Sequence, residues 1–275
     1  MHPLAIVNLE ELFDLAPHGP DVFVGDGHEY PWGGLFGGHI VAQALRAAAF
    51  TVSGDVLPHS LRAYFIRRGD NTKPVRYEVD RIRDGRSFTT RRVVARQQDG
   101  AILNLEASFQ SVESSIDEQL VFPQVDLPTP DSLEESSWST FLERRTIPSG
   151  VLTSDSRVGT GHVAAWLRAK DLPLGNELMN RCAIAYLSDD LPNESVIAGI
   201  PEITRASEEG RRFSASLDHT VWFHRPSVAS QWHLYEMSCV NFNGARGLTM
   251  GNVFTQDGIH IATIAQETLV RVRPE

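Results

Sequence analysis

The segment HIVAQALRAAAF, residues 39–50, decides the fold of this chain. It is rich in alanine and leucine and apolar almost all round, which is typical of a helix buried on most sides. A glycine-rich approach, GGLFGG, precedes it, and four segments with β-branched and aromatic residues in partial alternation follow it. Glycine-containing turns separate these segments, as between antiparallel strands. We therefore predict one buried helix wrapped by an antiparallel sheet, with strands at 60–68, 75–83, 87–97 and 101–110.

The same pattern occurs twice in the chain. Three landmarks recur 158 positions later: YFIRR (64–68) as WFHRP (222–226), Tyr77-Glu78 as Tyr235-Glu236, and Gln98-Asp99-Gly100 as Gln256-Asp257-Gly258. A constant offset through three landmarks indicates a duplicated domain. The second copy is predicted to repeat the order, with a helix at 176–190 and strands near 212–225, 231–241, 246–256 and 259–272.

A buried helix held by a curved antiparallel sheet is the hotdog arrangement, so the predicted fold class is α+β, a double hotdog. The predicted domains are an N-terminal hotdog at 1–110 and a C-terminal hotdog at 151–275. Between them lies an acidic connector, 111–150, which is rich in proline and serine and carries eight acidic residues against two basic ones. That composition favours a solvated segment. Its apolar residues, Trp138 and Phe141 among them, indicate that parts of it dock on the domains.

Composition excludes several classes of protein. The net charge of -10 argues against binding nucleic acid through its phosphates. No apolar run approaches the length of a membrane span and the N-terminus lacks a signal pattern, so we expect a soluble, cytoplasmic protein. Cys182 and Cys239 are too few for a disulfide framework or a zinc site, and both are predicted to fill the core.

The two halves also carry motifs in a family-specific order. LFGGHIVAQAL, PHSLRAYFIRRGD, RDGRSFTTRRVVA and ASFQ in the first half, then YLSD, DHTVWFHRP, ARG and QDG in the second, resemble the type II acyl-CoA thioesterases. The resemblance runs from about residue 30 to residue 272. It implies an enzyme that hydrolyses acyl-CoA to a free acid and coenzyme A without a metal or an organic cofactor, which would place it in fatty acid metabolism.

Two adjacent acids end the apolar run AIAYLSDDLP, residues 183–192. Asp189 and Asp190 come at the C-terminal end of the predicted second helix, where negative charge opposes the helix dipole. Thioester hydrolysis needs a water activated or aimed at the carbonyl, and a carboxylate in an apolar setting is a candidate to accept its proton. Taken alone, an acidic pair before a proline more often ends a helix and faces water.

The resemblance separates these two acids. The acid of the family's YLSD motif is Asp189, whereas Asp190 lies one position outside it and is expected to face the chain's exit toward Pro192. The resemblance also implies roles for Ser216 and Gln266, which would orient the water and the developing charge. The first copy has Pro58 and Ser108 at the matching positions, so we expect one functional site per chain.

The sequence indicates the residues that contact the substrate less clearly than it indicates Asp189. Gly37 and Gly38 could present backbone N–H groups to the substrate, or they could only permit close packing. The arginine-rich stretch 62–96 supplies three candidates for the phosphates of coenzyme A, Arg67, Arg83 and Arg86.

Histidine-dependent chemistry has little support. His39, His219 and His224 have no GxSxG nucleophile elbow to serve and are interpreted as structural. A hotdog enoyl-CoA hydratase would need an aspartate and a histidine on one helix, and the second helix has no histidine between Asn176 and Asp190.

Two further questions stay open at this stage. A non-catalytic acyl-CoA or lipid carrier is the alternative from another class of protein, although all three polar residues of the site are present. Exposed sheet edges could pair within the chain or between copies, so monomer, dimer and tetramer all remain open.

Overall fold

A computed structural model describes residues 8–53, 55–152, 160–173 and 175–274 of the chain. The first half contains a long helix followed by four long strands, as predicted. Its elements are α1 (Leu9–Leu12), β1 (Ala16–Pro17), β2 (Val22–Gly25), α2 (Gly37–Phe50), β3 (Val56–Phe65), β4 (Val75–Asp84), β5 (Phe88–Gln97) and β6 (Gly100–Ser111). The strands pair antiparallel in the order β1-β2-β4-β5-β6-β3.

The second half repeats this plan with added helices. Its elements are β7 (Leu142–Thr146), β8 (Thr160–Ala169), α3 (Glu177–Leu187), α4 (Pro192–Gly199), α5 (Pro201–Glu208), β9 (Arg212–Ser216), β10 (Asp218–Phe223), β11 (His233–Asn243), β12 (Arg246–Thr255) and β13 (His260–Val272). The strand order is β10-β13-β12-β11-β8-β7, and β9 also pairs with β13. Strands β4 and β5 recur as β11 and β12, each starting 158 residues later, which confirms the duplication.

Helix α2 is the centre of the first half. It packs against β5, β6 and helix α3, and its Val41, Ala44 and Leu45 are fully buried. Burying each larger aliphatic side chain contributes roughly 1.5–3 kcal/mol. The buried Gln43 is compensated, because its Nε2 donates to the carbonyl of Leu12 and its Oε1 accepts from a tyrosine hydroxyl. The alanine-rich segment therefore does form the buried helix that the sequence predicts.

The two halves join into one continuous sheet through β3 and β10. These strands pair antiparallel, with Arg62 opposite Thr220 and Tyr64 opposite Asp218. Each strand would otherwise present an unpaired edge. The edge-to-edge pairing of two hotdog sheets thus takes place inside a single chain, and it brings helices α2 and α3 into contact.

Several strands and helices of the structure were not predicted from the sequence. The middle of β8, residues 164–167, is buried without a break, so it lacks the alternation that marks a strand with one exposed face. Strand β7 lies within the predicted connector and pairs with β8. Helices α4 and α5 each begin with a proline, Pro192 and Pro201, which is a recognised first helical residue.

Other details refine the remaining predictions. The single strand predicted at 212–225 is divided at Leu217 into β9 and β10. Cys182 and Cys239 are buried, as expected of core residues. None of the helices in the described part of the chain has the length and apolar character needed to cross a membrane.

Candidate active site

A cleft of about 940 Å³ lies where the two halves meet. Both halves contribute to its walls: residues 32, 34–37, 40 and 65–69 from the first, and 138, 189, 190, 193, 194, 197 and 212–217 from the second. Much of the lining is apolar, including Phe36, Phe65 and Trp138, and the remainder includes carboxylates and arginines. The pairing of β3 with β10 and the contact of α2 with α3 are what create this cleft.

Asp189 lies in the wall of the cleft, just beyond the end of α3. Its side chain is buried, and its Oδ2 accepts a hydrogen bond of 2.9 Å from the backbone N–H of Gly38, in the first turn of α2. Within the described part of the chain, its Oδ1 has no hydrogen-bond partner. The carboxylate is therefore held by one oxygen and retains an acceptor on the other.

Burial raises the pKa of Asp189 from 3.8 to about 7. The side chains of Gln266 and Ser216 and the Gly38 N–H lower this pKa, whereas the charge of Asp190 raises it further. A carboxylate with a pKa near neutrality is well suited to general acid–base catalysis, because both of its protonation states are accessible.

Gly37 and Gly38 are required by the close approach of the two central helices. A Cβ on Gly37 would lie 2.4 Å from Asp189 Oδ2, and a Cβ on Gly38 would lie 2.2 Å from the backbone oxygen of Tyr186. Gly38 therefore has two observed roles. It permits close packing, and its N–H binds the Asp189 carboxylate.

Gln266 and Ser216 lie together on neighbouring strands of the second half. The Nε2 of Gln266, which is buried on β13, donates to the Oγ of Ser216 at 2.9 Å. Ser216 lines the cleft, and Gln266 lies behind it. The Oε1 of Gln266 is 2.5 Å from Nδ1 of His219. Of the three residues singled out by the sequence, Asp189 and Ser216 thus line the same cleft, and Gln266 contacts Ser216.

Asp190 does not face the chain's exit toward Pro192, and that expectation was wrong. Its side chain is only 3% exposed, and its Oδ2 lies 3.0 Å from Nε of Arg144, on β7. Trp138 Nε1 donates a hydrogen bond to Oδ1 of Asp190, and the same arginine also pairs with Glu194 at 2.6 Å. A buried carboxylate needs such partners. The predicted connector supplies them by folding back onto the site.

The predicted phosphate-binding arginines lie in two different places in the structure. Arg67 lines the cleft, whereas Arg86 lines a separate depression at the far end of the β4–β5 hairpin, beside Arg83 and Gly85. Arg68 and Arg212, which were not predicted, also line the cleft. None of the three cleft arginines has a carboxylate partner within the described ranges, since Arg212, for example, donates to two serine hydroxyls. In the sequence, the only indication of a cleft position for Arg68 or Arg212 was that Arg68 directly follows Arg67.

The three histidines have different surroundings. His39 is buried with its Nδ1 3.0 Å from the hydroxyl of Tyr30, and His224 bonds to Thr263 on the outer part of the sheet. His219 alone among the three contacts a predicted site residue, Gln266. This contact could not be predicted from a nucleophile motif. Such a motif indicates a histidine beside a serine or cysteine nucleophile, whereas His219 contacts an amide.

A duplicated buried helix wrapped by a curved antiparallel sheet defines the class of the protein, a double hotdog with a buried carboxylate in the cleft between its halves. Two family models match the chain, the acyl-CoA thioesterase N-terminal domain over residues 28–110 and the acyl-CoA thioesterase C-terminal domain over residues 122–270. Acyl-coenzyme A thioesterase 8 of Mus musculus is 35% identical over 302 residues, covering 99% of this chain and 91% of that protein.

Solved structures agree with this assignment. Acyl-CoA thioesterase II TesB2 from Mycobacterium marinum has a TM-score of 0.82 at 33% identity, covering 96% of this chain and 97% of that one. A hot dog fold protein from Alicyclobacillus acidocaldarius, 19% identical, has a TM-score of 0.77 and covers 97% of this chain and 98% of its own. The chain belongs to the type II acyl-CoA thioesterase family, and its fold is the double hotdog. It is an enzyme of the thioester hydrolase class, as the sequence predicts.

Proposed function

We propose that this chain hydrolyses acyl-CoA to a free acid and coenzyme A, using a water molecule held by Asp189, Ser216 and Gln266. The observation that carries the proposal is the state of Asp189. Its carboxylate is buried in the wall of a cleft, one oxygen is held by the Gly38 N–H, and the other has no partner within the described ranges. Membership of the acyl-CoA thioesterase family supports acyl-CoA as the substrate.

The chemistry follows from these contacts. The oxygen of the water attacks the thioester carbon, and one of its protons passes to the free carboxylate oxygen of Asp189. Ser216 accepts a hydrogen bond from Gln266, so its own hydroxyl proton is available to orient the water or to stabilise the developing oxyanion. When the tetrahedral intermediate collapses, the C–S bond breaks and the sulfur takes the proton from Asp189. The products are the acid and coenzyme A, and the carboxylate is restored.

Coenzyme A is proposed to enter beside the arginines of the cleft. Arg67, Arg68 and Arg212 line the cleft and have no carboxylate partners in the described part of the chain. Guanidinium groups bind phosphate oxygens with two parallel hydrogen bonds, and a guanidinium group without a carboxylate partner keeps its positive charge uncompensated for this purpose. Arg83 and Arg86 lie outside the cleft, so they are not included in this part of the proposal.

The acyl group is proposed to lie against the apolar lining of the same cleft, which includes Phe36, Ile40 and Phe65. Such a wall suits a fatty acyl chain because it removes apolar surface from water. A role in fatty acid metabolism is consistent with this substrate class. The cytoplasmic location stays a prediction from the sequence.

A thiol-release assay with a panel of acyl-CoA esters tests the proposal. Release of one thiol per thioester consumed, lost in Asp189→Asn with folding intact by circular dichroism, is the expected result. Loss of enoyl absorbance without thiol release would instead indicate a hydratase. Binding without turnover would indicate a carrier.

A further inference from the structure

We infer that His219 is a positioning residue, which fixes the side-chain amide of Gln266 in the orientation that leaves the Ser216 hydroxyl proton free for the reaction. This inference rests on the proposed function, in which Ser216 and Gln266 hold the water. His219 lies on β10 and is fully buried. Its Nδ1 is 2.5 Å from Gln266 Oε1, and its Nε2 is 2.7 Å from the Oγ of Ser188.

The need for such a residue comes from the chemistry of glutamine. Rotation of the Gln266 amide by half a turn exchanges its oxygen and nitrogen with almost no change in shape. In the observed orientation the nitrogen donates to Ser216, which leaves the serine proton free. In the reversed orientation the amide oxygen would face Ser216, and the serine would have to donate its single proton to it. The two orientations therefore differ in what Ser216 can offer to the water.

His219 selects between them through the proton on its Nδ1. An amide oxygen can only accept, so the observed contact needs a proton on Nδ1 of the imidazole. Burial also lowers the pKa of His219, to about 4, which keeps the ring neutral near pH 7 with one proton and one acceptor. An Nδ1–H group stabilises the observed orientation of the Gln266 amide and disfavours the reversed one, in which two N–H groups would face each other.

Ser188 offers the imidazole a partner that is compatible with a proton on Nδ1. Its hydroxyl can donate to the Nε2 of His219, at 2.7 Å, or to the carbonyl of Ala185, at 3.0 Å. Donation to Nε2 requires an unprotonated nitrogen there and leaves the proton on Nδ1. Ser188 also immediately precedes Asp189, so this chain of hydrogen bonds connects the end of α3 to the strand that carries Gln266.

Two substitutions of the same histidine separate the roles of its two nitrogens. The amide nitrogen of an asparagine lies close to the position of Nδ1, whereas that of a glutamine reaches the position of Nε2. We expect His219→Asn to keep the donor to Gln266 and to retain kcat within about 5-fold, because the lost contact is the one to Ser188. We expect His219→Gln to lower kcat about 10- to 100-fold with little change in KM, because the donor to Gln266 is lost.

His233→Gln is the matched control, because His233 is also a buried imidazole but lies on β11, opposite Thr255, and has no hydrogen bond to Gln266 in the described part of the chain. It is expected to change thermal stability and leave kcat unaltered. Equal loss of kcat in both His219 variants, or no loss in His219→Gln, would overturn the inference.

A measurement that needs no turnover keeps the inference separate from the proposed function. In protein labelled with ¹⁵N-histidine, the His219 resonances are identified by their disappearance in His219→Asn. We expect Nδ1 to be protonated and Nε2 to be unprotonated at pH 7. A proton on Nε2 instead would overturn the inference whether or not acyl-CoA is hydrolysed. Failure of the wild-type chain to release thiol would overturn the proposed function while leaving the NMR result readable.

Discussion

Gly38 and Asp189 lie 151 positions apart in the sequence and are joined by a hydrogen bond of 2.9 Å between the glycine N–H and the carboxylate Oδ2. The bond links the first turn of α2 to the end of α3, so the site depends on contact between the two copies of the domain. It also places the carboxylate at the N-terminus of α2, where the helix dipole favours negative charge. The carboxylate proposed to act in catalysis is thus positioned by both halves.

Gly38→Ala tests this contact directly. A methyl group there would lie 2.2 Å from the Tyr186 carbonyl oxygen, which belongs to the backbone and cannot rotate aside. Alanine favours a helix over glycine by about 1 kcal/mol, while overpacking costs about 1–3 kcal/mol. We expect the clash to prevail, lowering both the urea midpoint and kcat. Gly150→Ala is the control, since nothing in the described part of the chain lies within 4 Å of its added Cβ. Wild-type stability and activity in Gly38→Ala would contradict the packing argument.

Asp189→Asn is expected to lower kcat about 100- to 10,000-fold, because the amide cannot take a proton from water. The KM should change little, since the amide oxygen can still accept from Gly38 and the fold is retained. Steady-state thiol release and circular dichroism provide the measurements. Asp190→Asn is the comparison, with kcat much less affected. If Asp190→Asn were the severe change and Asp189→Asn the mild one, the assignment of the two acids would be reversed.

The pH profile of kcat/KM should follow the Asp189 carboxylate. Burial raises its pKa to about 7, and the proposed reaction needs the ionised form. Activity should therefore rise with pH through about 7 and level off above it. The charge of Asp190 contributes to the raised pKa, so Asp190→Asn should move the rising limb to lower pH. A rising limb near pH 4, with no shift in Asp190→Asn, would contradict this account.

The free energy of unfolding should also depend on the ionisation of Asp189, but it should fall as the pH rises, whereas the activity should increase. The folded protein binds the Asp189 proton more tightly than the unfolded chain, because the pKa rises on folding from 3.8 to about 7. This contribution to stability is fully present below about pH 4 and is lost as pH rises through about 7. Asp189→Asn removes the dependence, so the variant should gain stability relative to the wild type between pH 5 and pH 8. Urea-unfolding midpoints of the wild type and of Asp189→Asn at pH 5 and pH 8 measure this gain. A difference between the two proteins that is the same at both pH values would exclude the effect.

Arg212→Gln should weaken coenzyme A binding if its guanidinium contacts phosphate. We expect KM for acyl-CoA to rise about 10-fold, in line with the loss of one charge-assisted hydrogen bond. The KM for an acyl-pantetheine ester, which has no phosphate, should stay unchanged. Arg86→Gln is the matched control, since it removes the same charge outside the cleft. A larger effect from Arg86→Gln than from Arg212→Gln would reverse the assignment of the binding face.

Much of the fold could be predicted from local pattern. The alanine-rich segment of α2 and the strands after it have strong periodicity and clear turns, and the constant offset revealed the duplication. Strand β8 could not be predicted in this way, because residues buried on both faces do not alternate. The β7 segment LERRT is mainly charged, and its burial depends on Arg144 meeting acids about 50 residues further along the chain.

The sequence by itself determined which residue types the site would contain, because the motifs carrying Asp189, Ser216 and Gln266 are local. Only the tertiary structure decided how the two acids differ: Asp189 meets a backbone N–H from the other half, whereas Asp190 meets Arg144. It also decided that Arg212 lines the cleft and that His219 contacts Gln266. The physical reason is that the pKa of a carboxylate and the orientation of an amide depend on burial and on hydrogen-bond partners, and in this chain the folding of distant segments brings those partners together.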